Sequence, residues 1–155
     1  MRKEFFPKEY YSDGASELCH AVKNGNSSAI SRMAAEMALA VPPNAVLIPA
    51  PQHCGKAVYT LELCRKIAAR TGATVCDILR CVPHESLYSA RKRGHSPELE
   101  FYLDGLLLDG PCFFVDNVIS TGKTFGAAAK VIGQISPLVY AVDSSARAAK
   151  TQQQS

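Results

Sequence analysis

The sequence has no run of about 18 consecutive apolar residues, so nothing in it reads as a membrane span. Its opening, Met1-Arg2-Lys3-Glu4-Phe5-Phe6-Pro7, lacks the uninterrupted apolar core of a secretory signal. Charge of one sign is scarce: 17 basic against 14 acidic residues leave +3, too little to argue for nucleic acid. No C-x-x-C and no zinc-finger spacing of Cys and His occurs, although there are six cysteines (Cys19, Cys54, Cys64, Cys76, Cys81 and Cys112). Their irregular gaps and the missing signal point to reduced thiols in a cytoplasmic protein and against a cysteine metal site. Cys64, Cys76 and Cys112 lie in apolar runs, where cysteine acts as a small buried hydrophobe. There is no repeat and no linker-like stretch.

What remains is an ordinary composition, 47% hydrophobic and 20% charged with 10 Gly and 9 Pro, which excludes collagen-like, low-complexity and disordered chains. A length of 155 residues fits one domain (residues 1–155) with a core over about 28–145. A domain of that size buries roughly 70% of the surface its unfolded chain exposes, enough for a core without staples.

Ile30, Met33, Ala34, Met37 and Val41 recur at spacings of three and four, predicting a helix over 28–40 that Pro42-Pro43 stops. The run Ala45-Val46-Leu47-Ile48 predicts a buried strand over 44–49. A second helix is expected over 55–69 with Val58, Leu61, Cys64 or Leu63, Ile67 and Ala68 inward, closed by Thr71-Gly72. Residues 74–79 read as a strand, 83–100 as a charged loop, and 101–108 as extended chain. Asp109-Gly110-Pro111 is a turn before a buried strand over 112–115. A third helix is expected over 123–135, with Phe125, Ala128, Ala129, Ile132 and Ile135 on one face, then a strand over 138–142 after Pro137. Residues 151–155 are expected to fray. Strands alternating with helices predict an α/β, Rossmann-like, mostly parallel sheet flanked by helices. Ligands of such sheets sit beyond the carboxyl ends of the strands, here residues 50–55 and 116–124.

The second of these segments is the more informative. An apolar strand delivers Asp116 at its end, and Ser120, Thr121 and Gly122 form a turn that opens a helix at Lys123 and Thr124. The first amides of a helix lack internal partners and its dipole favours an anion there. The hydroxyls add donors, and Gly122 lets backbone approach a phosphate closely. Gly122-Lys123-Thr124 resembles the end of a Walker A loop, but Asn117 stands where that motif needs its first glycine.

The run Val115-Asp116-Asn117-Val118-Ile119-Ser120-Thr121-Gly122-Lys123-Thr124 is similar to the signature with which type I phosphoribosyltransferases bind 5-phosphoribosyl 1-diphosphate (PRPP). The resemblance covers about residues 44–142 and is greatest to the ComF-like branch, through the arrangement of Tyr88, Arg93, Pro97, Phe101 and Val115-Asp116. It implies that Ser120, Thr121, Gly122, Lys123 and Thr124 hold the 5-phosphate. It implies that Asp116 and Asn117 meet the ribose hydroxyls, with Asp116 addressing Mg²⁺ indirectly through that diol or water. The family has an acid where Asn117 stands; an amide brings no charge, which implies chemistry slowed on the order of ten-fold.

By position, Ala50, Pro51, Gln52, His53 and Gly55 match the family's pyrophosphate loop, which uses backbone amides. Arg91, Lys92 and Arg93 match its flexible catalytic lid, where cations neutralise the leaving pyrophosphate. The resemblance thus implies transfer of phosphoribose from PRPP, with Mg²⁺, to a nitrogenous base or amine. The serine at position 120 is no carboxylate base, which counts against purine salvage. The acceptor-binding hood would be small, drawn from residues 1–27 (with Phe5, Phe6, Tyr10 and Tyr11) and the chain after Asp143. No membrane or nucleic-acid partner is expected, and a homodimer is allowed. The alternative is a regulatory protein that senses PRPP or a nucleotide without catalysis.

Overall fold

The computed structural model describes residues 4–95 and 98–145; Ser96, Pro97 and the expected frayed tail lie outside them. In chain order the elements are β1 (Lys8–Glu9), α1 (Ser16–Lys23), α2 (Ser27–Met37) with a 3₁₀ turn over Ala38–Ala40, β2 (Val46–Pro49), α3 (Tyr59–Thr71), β3 (Thr74–Val75), β4 (Leu79–Cys81), α4 (Leu87–Lys92), β5 (Phe101–Leu103), β6 (Cys112–Ile119), α5 (Lys123–Ile132) and β7 (Ser136–Val142). The main sheet has five strands in the order β1-β7-β6-β2-β3, and every pairing in it is parallel. The chain is therefore α/β with a mostly parallel sheet flanked by helices, as expected.

Apolar side chains leave both faces of the central strands. Leu47 and Val115 join one core with Met33 and Met37 of α2 and Leu63, Cys64 and Ile67 of α3. Val46, Ile48 and Phe114 join a second core with Ala128 of α5 and with Leu79, Cys81 and Phe101 of a separate antiparallel pair, β4–β5. The continuous apolar runs seen in the sequence follow from this two-sided burial.

Several boundaries differ from expectation for local reasons. Helix α2 starts where predicted because the Asn26 side chain accepts from the Ala29 N–H at 2.9 Å. Helix α3 starts at Tyr59, not near 55, because residues 52–56 close a turn (Gly55 N–H to the Gln52 carbonyl, 2.9 Å). Val58 consequently stays exposed, while Leu63, Cys64 and Ile67 are buried. The expected strand over 74–79 divides between two sheets, and only 101–103 of the extended stretch pairs. The expected loop contains α4, capped by Ser86, whose hydroxyl accepts from the Ser89 N–H at 3.2 Å. Strand β6 runs four residues past Val115, to Ile119, and α5 ends at Ile132, where Gly133 has a φ of +92°.

Residues expected to furnish a hood build the sheet and its cover. Strand β1 pairs with the β7 edge, and α1 buries Cys19 and Val22. Phe5 stacks on Tyr140 with ring centres 5.9 Å apart, whereas Phe6 is exposed. No helix among the described residues is long and apolar enough to cross a membrane.

The end of β2 is tied to α3 by the fully buried Thr60, whose hydroxyl donates to the Ala50 carbonyl at 2.6 Å. Thr60→Val keeps the shape and leaves that carbonyl without its donor. It should lower stability by about 1–3 kcal/mol, read as a shift in the urea midpoint with unchanged slope.

Candidate functional site

Strands β2 and β6 pair at the centre of the sheet, and the chain leaves them in opposite directions. From β2 it passes through α3 to β3; from β6 it passes through α5 to β7. Right-handed crossovers in opposite directions put α3 and α5 on opposite faces, so the carboxyl ends of β2 and β6 border a crevice that no connection covers. Both segments singled out in the sequence open there.

Two adjoining cavities occupy this edge. The smaller, about 160 Å³, lies by β2 and is lined by residues 50–53 together with His84 and Phe101. The larger, about 780 Å³, extends over β6 toward β7 and is lined by residues 116–125 with Tyr10, Tyr11, His20, Arg91 and His95. Lys23, Tyr59, Tyr88, Asp116 and Thr124 border both.

The turn after β6 leads through a glycine into a helix start that faces the larger cavity. Gly122, with a φ of +81°, precedes the first helical residue, a conformation that disfavours a side chain. The Thr121 hydroxyl accepts from the Lys123 N–H at 3.4 Å. Residues 120–124 all line the larger cavity, so the first turn of α5 presents its end to it.

Asp116 sits at the junction. Its carboxylate accepts from the Asn117 N–H at 2.8 Å. Burial raises its pKa from 3.8 to about 7, against the pull of that N–H and of Lys23. A carboxyl so balanced gains markedly from any ligand that donates hydrogen bonds to it.

Asn117 is placed differently from Asp116. Because β6 continues to Ile119, the two are consecutive strand residues and their side chains diverge. Asn117 is 4% exposed. Its amide donates to the Cys19 carbonyl of α1 at 3.3 Å and accepts from the Tyr59 hydroxyl of α3 at 3.4 Å. Against a carbonyl only a donor serves, so an amide rather than an acid suits this position. The side chain borders the larger cavity, but its polar atoms are engaged inside the protein.

The loop after β2 also differs from a backbone cradle. The Ala50, Gln52 and Gly55 amides donate to the carbonyls of Val115, Lys56 and Gln52, and Pro51 has none to offer. The Gln52 side chain accepts from the Tyr59 N–H at 3.0 Å, occupying the start of α3. Gly55 is needed for packing: a Cβ there would lie 3.0 Å from the Cys81 carbonyl oxygen. Of this loop, His53 turns its ring toward His84, with centres 6.5 Å apart.

The basic triplet splits three ways. Arg91 reaches the turn, donating to the Ser120 hydroxyl at 3.3 Å. Lys92 lies over the Tyr88 ring, 4.6 Å from its centre. Arg93 pairs with Glu85. The structure thus brings together Asp116, residues 120–124, Arg91, Gln52 and His53. It directs Asn117, Lys92, Arg93 and the Ala50, Gln52 and Gly55 amides elsewhere. Sequence reasoning missed Lys23, Tyr59 and His84, which come from two separate helices and a loop and share no motif, whereas Tyr88 belongs to the arrangement singled out in the sequence.

No family model, curated protein or solved structure matches the chain.

Two stability predictions follow from these environments. The folded-state pKa of Asp116 is raised, so its contribution is most favourable below about pH 4 and is lost as pH rises through about 7. Asp116→Asn should therefore raise Tm at pH above 7 by about 5 °C and change it little near pH 4; thermal melts across that range check this. Asn117→Asp sets a carboxylate against the Cys19 carbonyl and should lower stability by about 1–3 kcal/mol, seen in the same melts at neutral pH, instead of restoring a lost acid.

Proposed function

We propose that this chain binds PRPP as its Mg²⁺ complex and transfers phosphoribose to a nitrogenous acceptor, releasing pyrophosphate. The observation that carries this reading is the coincidence, at the switch point, of Asp116, the Ser120–Thr124 turn opening α5, and Arg91 reaching across to Ser120. Each addresses a different part of one ligand. The α5 amides and the Thr121 and Thr124 hydroxyls suit a phosphate monoester. Asp116 suits the ribose diol, whose hydroxyls donate. Arg91 suits a bidentate phosphate contact.

The displacement would pass through an oxocarbenium-like state, so the protein acts by positioning and by electrostatics. With Asn117 turned inward, Asp116 would be the acid that stabilises positive charge developing on the ribose. Among the described residues no group of three or more His, Cys, Asp or Glu could hold a metal ion by itself. Mg²⁺ therefore fits as part of the substrate, with Asp116 reaching it through the diol or water. It would supply neutralisation of the diphosphate. Tyr10, Tyr11, Tyr59 and Tyr88, on the cavity walls, offer flat faces for an acceptor ring.

The engaged amide of Asn117 favours a second reading, a sensor that binds PRPP without turning it over. Calorimetric titration with PRPP and Mg²⁺ tests both. Saturable binding is expected, weakened on the order of ten-fold or more by Arg91→Ala. Absence of binding at millimolar PRPP overturns both readings. Binding with no pyrophosphate release across a panel of bases and amines leaves the sensor.

A further inference from the structure

The pyrophosphate loop poses a problem that its own geometry answers. A loop that holds a diphosphate through backbone needs amides pointing outward, yet those of residues 50, 52 and 55 are bonded inward and residue 51 is proline. Two imidazoles, His53 and His84, face the smaller cavity beside these engaged amides. We propose that His53 and His84 form a paired imidazole site for the diphosphate group, replacing the backbone cradle. This rests on the phosphoribosyl reading of the adjoining turn and specifies how its leaving group is held.

Three features support the pairing. The two histidines come from segments bonded to each other, the His84 N–H donating to the His53 carbonyl at 2.9 Å, so their spacing is set by backbone. Their rings lie 6.5 Å apart on one wall of a cavity of about 160 Å³, roughly five times the volume of a water. That wall adjoins Asp116, which also borders the cavity of the phosphate turn.

The tautomer of His84 then determines when the site works. Its Nδ1 lies 2.6 Å from the Glu85 carbonyl oxygen. A carbonyl only accepts, so Nδ1 carries the proton and neutral His84 presents a bare Nε2 lone pair. That lone pair repels an anion. Protonation converts Nε2 into a charged donor, so the site takes up a proton with its ligand. The other titratable groups facing this cavity are Lys23 from α1, Tyr59 from α3, Tyr88 from α4 and Asp116 from β6. The Glu85 carboxylate is paired with Arg93. Of these, only Lys23 is a basic side chain beside the imidazoles.

The test is calorimetric titration of the full chain with inorganic diphosphate between about pH 6 and about pH 8, in buffers of different ionisation enthalpy. Because diphosphate itself titrates in this range, the quantity read is the difference between wild type and the His53→Gln/His84→Gln double variant. Wild type should gain about ten-fold more affinity on acidification than the variant and take up about one more proton per ligand. His84→Lys should restore binding without the pH dependence. Ribose 5-phosphate, which lacks the diphosphate, should bind wild type and both variants alike. Identical pH profiles for wild type and double variant, with ribose 5-phosphate still bound, overturn the imidazole site and leave the phosphoribosyl reading standing. Failure of both ligands to bind wild type overturns the two together.

Discussion

The parallel pairing of β2 with β6 is the constraint on which the rest of the molecule depends. Val46 to Pro49 align with Cys112 to Val115, although the two strands are separated by more than a third of the chain. Holding them side by side requires both faces to be covered, and α3 and α5 cover them from opposite sides because the chain winds away from this pair in both directions. The crevice at their carboxyl ends is what that winding leaves open. Thr60 and Gln52 brace its β2 side, and Gly122 starts a helix on its β6 side.

Within this frame two neighbouring polar residues carry opposite duties. Asp116 is held in a desolvated position that raises its pKa to about 7, a standing cost to the fold of the kind found at binding sites. Asn117, one residue on, secures α1 and α3 to the strand from which Asp116 projects. A segment that resembles an acid pair is thus divided by the pleat of the strand into one group that borders the cavities and one whose polar atoms are engaged within the protein. The amide that looks like a weakened catalytic acid is well matched to its surroundings.

The positive charge is divided in the same way. Of three consecutive basic residues at the end of α4, the chain sends only Arg91 to the turn at Ser120, while Lys92 covers an aromatic ring and Arg93, just past the helix, finds an acid. The cationic or cation-capable groups that do face the crevice, Lys23, His53, His84 and Arg91 among them, are scattered through the chain. A small net charge is compatible with a concentrated one because folding, not composition, decides which charges face one another.

Much of this was legible in the residues themselves. The two-sided apolar runs at 45–48 and 112–115, the spacing of Ile30, Met33, Ala34 and Met37, and the Ser-Thr-Gly turn before α5 state the α/β class, the central strands and one anion-suited helix start. These are local signals: periodicity, capping and turn chemistry act over a few residues. The length of β6, and with it the divergence of Asp116 from Asn117, was not legible, because pairing with β7 rather than any preference of residues 116–119 extends the strand. The short β4–β5 pair, the recruitment of residues 4–27 into the sheet and its cover, and the inward bonding of the loop after β2 likewise depend on partners distant in sequence. By itself, then, the sequence determined the central strands β2 and β6, the helices α2, α3 and α5 that flank them, and where a Ser-Thr-Gly turn opens α5. Only the tertiary structure decided which side chains reach that crevice, since facing and burial are properties of contacts between segments and not of any one of them.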